Sequence, residues 1–274
     1  MLLVTYNIQY GRGRDGRFDL DRIADAVDGA DVIALQEVER FWPRSGMVDQ
    51  VQWLAKRLPE YWWVYGPNLD LFSPAGFPGE ASNRRRQFGN LILSRTPIQA
   101  SRNIALPRVP GAEQTMQRGA LEAIAASPSG RSVRIYSTHL TYLDAAVRRM
   151  QLDSLFEEHH RAIAEGGAWA GAHPASAGWM ERADPAMPES AIVLGDMNFS
   201  PGDPEYRTLF ADPGTPFIDA WPIVRGSDGT PTHAAGHIDH VWVTPDLAGA
   251  LVAARVDTEA AGSDHQPVWL TLDI

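Results

Sequence analysis

Hydrophobic residues in this chain fall into short, β-rich runs: Leu2 to Tyr6, Asp31 to Leu35, Tyr61 to Tyr65, Asn90 to Ser94, Ala120 to Ala126, Val133 to Thr138, Ala191 to Leu194, Ile238 to Val243, Leu251 to Val256 and Pro267 to Leu272. Each has the length of a strand, so the pattern predicts about ten strands. A helical period is convincing only over Asp19 to Val27, Val48 to Leu58 and Asp144 to Ile163, with Asp19 placed to cap the first. Neither strict βαβ alternation nor an all-β pattern fits. The prediction is an α/β class with mixed sheets packed on each other and helices covering the outside. No stretch reads as a linker, so residues 1–274 are expected to form one domain. Gly66 to Phe88 and Gly166 to Glu189, rich in Gly, Pro, Ala and polar residues, are expected to be long loops, which usually carry function or disorder.

Composition narrows the chemistry. The 274 residues include no cysteine, which excludes disulfides, thiolate nucleophiles and Cys-ligated metal clusters. Lys56 is the single lysine and is followed by Arg57, so there is no P-loop. No apolar run approaches the roughly 18 residues that a membrane-spanning helix needs. The opening residues, Met1-Leu2-Leu3-Val4-Thr5, have no basic segment or cleavage site of a secretory signal, and the expectation is a cytoplasmic protein. The net charge of −10 is concentrated late: residues 183–274 hold 3 basic and 14 acidic side chains. Such a balance disfavours tight nonspecific binding to nucleic acid and suggests a metal.

Gly11-Arg12-Gly13-Arg14-Asp15-Gly16 has the spacing of a dinucleotide-binding fingerprint, with Glu37 some twenty residues on. Against that stand the residues Asn7-Ile8-Gln9-Tyr10 between strand and glycines, the polarity of Arg14, Asp15 and Arg17, and a helical pattern that starts only after Asp19. A plain glycine loop is the preferred reading. Polar residues at strand ends are more telling. Asn7, Glu37, His139, Asp196 and Asn198 each end or follow a β-run, Asp239 lies within one, and Asp264-His265 opens the last. Singly, these are turn formers, caps or a satisfied buried histidine. Together at successive strand ends they are a set able to bind a hard cation or move protons, and carboxylates with Asn and no cysteine favour Mg²⁺ or Mn²⁺.

Thr5-Tyr6-Asn7-Ile8, Gln36-Glu37-Val38, Gly89-Asn90-Leu91-Ile92-Leu93-Ser94, Ser137-Thr138-His139-Leu140, Gly195-Asp196-Met197-Asn198, Ile238-Asp239-His240-Val241 and Ser263-Asp264-His265-Gln266-Pro267-Val268 follow the order seen in the endonuclease/exonuclease/phosphatase superfamily. The chain resembles that superfamily over nearly its whole length. The resemblance implies a four-layered α/β sandwich like that of deoxyribonuclease I. It implies Glu37 as principal metal ligand with Asn7 beside it and Asp264 completing a site for Mg²⁺ or Mn²⁺. Asp196 would position or deprotonate water, Asn198 would hold the scissile phosphate, Asp239 would orient His265, and His265 and His139 would stabilise phosphate oxygens. Arg118 matches a position where relatives often place a basic residue near substrate, its rival reading being an ordinary surface arginine. Asn90, within the matching motif, is a further candidate substrate contact. Two departures are His237 and His240, where many relatives carry a basic residue and Tyr; packing is the preferred reading for each.

The expected activity is therefore metal-dependent hydrolysis of a phosphoester, with a phosphodiesterase favoured over a DNA or RNA nuclease. A catalytically silent phosphate-binding module and a nicotinamide oxidoreductase resting on the glycine loop are the readings from other classes. The motifs leave the substrate open between a small molecule, a lipid headgroup and a nucleic acid, and they leave the oligomeric state open. Arg84-Arg85-Arg86 is a candidate phosphate clamp set against a solvated charge run, and Trp169 and Trp179 stand in the second long loop.

Overall fold

The computed structural model describes residues 1–73, 84–111, 115–167 and 186–274. Its strands are β1 (Leu2–Asn7), β2 (Val32–Arg40), β3 (Trp62–Phe72), β4 (Arg85–Ser94), β5 (Ile98–Ala105), β6 (Gly119–Ala126), β7 (Ser132–His139), β8 (Ala191–Asp196), β9 (Ile218–Asp219), β10 (Asp239–Val243), β11 (Leu251–Val256) and β12 (Val268–Leu272). They form two six-stranded sheets with orders β11-β12-β1-β2-β4-β3 and β5-β6-β7-β8-β10-β9. Both are mixed: β1 runs parallel to β2 and β7 parallel to β8, whereas the remaining neighbours are antiparallel.

Central strands are apolar at successive positions because both of their faces are covered. Leu3, Ala34, Ile192 and Leu194 point into the core between the sheets, where they meet Leu121, Ile135, Val241 and Leu270. Their neighbours in sequence, Val4, Ile33 and Leu35, face outward onto α1 (Leu20–Val27) and α2 (Gln50–Arg57), packing with Ile23, Val27, Val51 and Leu54. On the far side Tyr136, Val193 and Trp242 pack on Leu152, Leu155 and Phe156 of α3 (Ala145–Glu165) and Leu209 of α4 (Pro204–Ala211). The result is the expected four layers, helix, sheet, sheet, helix. Asp19, Asp49 and Asp144 cap α1, α2 and α3 with side-chain oxygens. No described helix is long and apolar enough to cross a membrane.

Differences from the expected elements are local. The described residues of Gly66 to Phe88 are mostly strand, because β3 continues to Phe72 and β4 begins at Arg85, with Phe72 paired to Arg85, whereas residues 74–83 lie outside the described residues. Trp169 and Trp179 lie outside the described residues. β5, which the hydrophobic pattern missed, is half exposed at the edge of its sheet, so nothing selects a strong apolar run there. α5 (Ala220–Arg225), capped by Asp219, is only six residues long. The glycine loop does not pass directly from a strand into a helix. Arg12 bridges to Phe18 and α1 starts only at Leu20, with Arg12 and Arg14 both exposed.

Candidate active site

Sheet register gathers the strand-end residues. His139 at the end of β7 lies opposite Asp196 at the end of β8, and Asp196 lies opposite Asp239 at the start of β10. β8 and β7 approach so closely here that a Cβ at Gly195 would collide with the Thr138 carbonyl oxygen. Parallel strands β1 and β2 bring Asn7 beside Gln36, next to Glu37. Glu37 sits at a register shift between Leu35 and Val38 with φ of 60°, and a bulge of this kind re-aims a side chain. Asn198, at φ 56°, is likewise in the left-handed region. Backbone held there costs about 1–3 kcal/mol per residue and tends to occur at functional sites.

Asn7 Nδ2 donates to Asp196 Oδ2 at 3.0 Å and to Glu37 Oε1 at 3.3 Å, while its Oδ1 accepts from the Gln9 N–H. His265 Nδ1 lies 2.8 Å from Asp239 Oδ2, leaving Nε2 turned toward Asp196 Oδ2 at 3.7 Å. His139 Nε2 is 3.4 Å from Asp196 Oδ2, and its Nδ1 is 3.8 Å from Glu37 Oε1 with no hydrogen bond. The Asn198 N–H donates to Asp196 Oδ1, and Asn198 Nδ2 to the Leu140 carbonyl. Asp264 stands at the mouth: Gln9 Nε2 donates to its Oδ2 at 2.6 Å, and His233 Nε2 is 3.7 Å away. The His233 ring stacks on His265 with centroids 4.5 Å apart. A basin of about 650 Å³ opens there, lined by Gln9, Arg12, Arg14, His233, Asp264 and Gln266.

The electrostatics separate the two catalytic candidates. Burial, reinforced by Asp239 and opposed by His265, lifts the Asp196 carboxyl to about 7. Burial would push His265 down, but the charge and hydrogen bond of Asp239, with Asp196 beyond, outweigh it and lift the imidazole to about 10. His139 is held well below the usual histidine range by burial, with Arg118 and His265 adding to it. Glu37 is raised by burial, against the Asn7 hydrogen bond.

Arg118 is not a surface residue: it is 5% exposed. Its guanidinium makes no hydrogen bond or ion pair with a described residue, although Glu37 and Asp196 act on it through their field. Asn90 differs from the expected substrate contact. Both of its amide hydrogens bond backbone carbonyls, Gly119 and Ser137, and so tie β4 across the core to β6 and β7. With both amide hydrogens engaged, it offers a phosphate no donor. His240 is packed, as expected, with Nδ1 3.2 Å from Asp219 Oδ2 and Nε2 2.9 Å from the Phe199 carbonyl. His237 packs on Trp221. In the arginine triplet, Arg85 pairs with Asp70 while Arg84 and Arg86 lie over Phe41 and Trp42. No pattern in the sequence marks Gln9, which opens a 3-10 turn of three residues, or His233, which stands in a loop.

A divalent cation suits the donor set. Glu37 is a desolvated carboxylate whose only side-chain hydrogen bond among the described residues comes from Asn7, and one oxygen of Asp239 has no partner. Within the expected trio Glu37 faces Asn7 and His139, and Asp264, whose charge acts on Glu37, faces Gln9 and His233. Ligand atoms of Asp196, Asp239 and His265, and of His233, Asp264 and His265, form two further groups that could hold a metal.

Residues 4–265 match the Endonuclease/Exonuclease/phosphatase family. No curated protein matches the chain. Among solved structures it is similar to an endonuclease/exonuclease/phosphatase from Beutenbergia cavernae (TM-score 0.70, 23% identity, covering 99% of this chain and 71% of that one). It is similar as well to one from Bacteroides vulgatus (0.69, 20%, 100% and 98%). A third is the human Nocturnin catalytic domain with bound sulfate anion (0.62, 18%, 98% and 92%). At these identities the likeness concerns the fold.

Proposed function

This chain belongs to the endonuclease/exonuclease/phosphatase family, and from that premise we propose that it is a metal-dependent phosphodiesterase acting on a small phosphoester. The family consists of phosphoester hydrolases and is typically metal-dependent. Glu37 would hold the cation, with Asn7 and Asp264 completing its surroundings. Mg²⁺ or Mn²⁺ bound there supplies charge neutralisation for the phosphoryl oxygens. Asp196, poised near neutrality, accepts the proton of the attacking water and fixes its direction. His265, kept charged by Asp239, donates through Nε2 to a phosphoryl oxygen, and Asn198 aligns the phosphate. His139, neutral, presents one ring N–H. The observation that carries the reading is Arg118: a buried guanidinium that forms no hydrogen bond or ion pair with a described residue, and feels Glu37 and Asp196 only through their field, is costly, and an anionic substrate supplies a direct partner. The acidic final third favours a small ester over a polyanion.

The test is release of p-nitrophenol from bis-p-nitrophenyl phosphate and from p-nitrophenyl phosphate, with EDTA, Mg²⁺ or Mn²⁺. The expected result is metal-dependent turnover, faster on the diester and abolished in Asp196→Ala. Turnover insensitive to EDTA, or retained in Asp196→Ala, overturns the mechanism. Turnover should also be bell-shaped in pH. It rises as Asp196 loses its proton near 7, because the base works deprotonated, and falls as His265 loses its proton near 10, because the donor works protonated.

A further inference from the structure

A second cleft, of about 450 Å³, lies beside the catalytic centre and takes no part in the chemistry above. Its walls include Pro201, Tyr206, Trp221, Pro222 and His237, with the loop of Gly226 to Gly229 closing one side. It shares its frame with the active site: Ser200 is two residues from Asn198, and His237 two residues from Asp239. Two residues of extended chain span at most about 7 Å. The two wall segments also touch, since a Cβ on Gly236 would run into the Ser200 hydroxyl.

Most of the lining is ring and aliphatic surface, but one polar atom in it is unanswered. His237 is 4% exposed, and its Nε2 has no hydrogen-bond partner among the described residues. Its Nδ1 lies 2.8 Å from the Thr230 carbonyl oxygen. A carbonyl only accepts, so Nδ1 carries the hydrogen and the neutral ring leaves Nε2 as a bare acceptor. Burial, with His240 nearby, favours that neutral form. A buried acceptor without a donor costs free energy that a ligand's N–H or O–H recovers. An acceptor repels phosphate oxygens, so His237 is not a further phosphate contact.

We propose that this cleft is a specificity subsite that receives a flat, largely apolar ring of the substrate through an N–H or O–H on that ring, with His237 Nε2 accepting the hydrogen bond. The substrate class, resting on the phosphodiesterase reading, is a phosphodiester with one hydroxyl- or amino-bearing aromatic or heteroaromatic substituent. Trp221, whose ring centroid is 4.6 Å from that of His237, backs the imidazole. His237 here is a binding residue and touches no reacting atom.

Two matched pairs of probes test this on the full chain. In the catalytic arm, 4-hydroxyphenyl p-nitrophenyl phosphate is compared with 4-methoxyphenyl p-nitrophenyl phosphate. The expected KM is about 5- to 10-fold lower for the hydroxyl ester, the range that one added hydrogen bond gives, with similar kcat, and His237→Phe brings the ratio to one. In the binding arm, which needs no turnover, phenol and anisole are titrated while the imidazole ¹⁵N resonances are followed. Phenol is expected to shift His237 Nε2 and anisole not to. Gly229 has open space where a side chain would stand, so Gly229→Phe narrows the cleft and leaves the His237 hydrogen bond in place. It should weaken phenol binding even if His237→Phe does not fold. Equal KM for the two esters in the wild type, or no phenol-dependent shift at His237, overturns the subsite. Failure of both esters to turn over, with the phenol shift present, counts against the phosphodiesterase reading and leaves the subsite standing.

Discussion

Two His–Asp pairs stand back to back on one strand, and they differ in what is left open. Asp239 and His240 are consecutive residues of β10, so their side chains leave opposite faces of the sheet. His240 meets Asp219 at 3.2 Å and the Phe199 carbonyl at 2.9 Å, and Asp219 accepts further bonds from the Tyr206 hydroxyl and the Trp221 N–H. Both ring nitrogens are answered, and the Asp219 bond raises the imidazole above its ordinary range in spite of burial. Asp239 meets His265 at 2.8 Å, but its other oxygen has no partner among the described residues, and His265 Nε2 is directed at Asp196 from beyond hydrogen-bonding distance. The same two residue types form a closed network on one face and an open one on the other. A closed buried network rigidifies, whereas an open one keeps donors and acceptors available for a substrate.

Breaking each pair should separate the two roles. The largest effect is expected at His265→Ala: turnover of bis-p-nitrophenyl phosphate falls by about 10²–10³-fold, the usual cost of one aimed donor, with unchanged circular dichroism. Next comes His240→Ala, which leaves Asp219 buried and uncompensated. Its unfolding free energy should drop by about 3 kcal/mol, read as a lower midpoint in urea. Arg118→Met sharpens the contrast, because it removes a charge that the fold does not pair. It should lower kcat/KM by roughly 10²-fold while leaving stability equal or higher. A marked loss of stability in Arg118→Met would instead give Arg118 a structural role. The smallest effect is expected for Asn90→Ala, which strips donors from the Gly119 and Ser137 carbonyls and should cost about 1–2 kcal/mol in stability.

Much of this was legible in the sequence because it follows from local chemistry. Strand runs such as Ala191 to Leu194 are apolar throughout since both faces are covered, and the strand-end polar residues meet because register places His139, Asp196 and Asp239 side by side. β5 was not legible, since its edge position leaves small and polar residues at alternate sites. The burial of Arg118 was not legible either, because it stands just before β6 and no local pattern in the sequence marks a covered arginine. Gln9 and His233 approach Asp264 from irregular segments that are far away in sequence and carry no periodic signal. The closed partner of His240 was hidden for the same reason: Asp219 reads as a helix cap, and only the pairing of β9 with β10 brings it across.

If the open pair does the chemistry and the closed pair holds the fold, removing one histidine or the other should have different consequences. The most direct test measures kcat on bis-p-nitrophenyl phosphate and the urea midpoint for His265→Ala and His240→Ala side by side, with saturating Mn²⁺. Opposite signatures are expected, with His265→Ala folded and nearly inactive and His240→Ala destabilised yet retaining most of its turnover under conditions where it stays folded. Equal losses of activity in the two variants, or a destabilised His265→Ala that keeps its turnover, would contradict that division of roles.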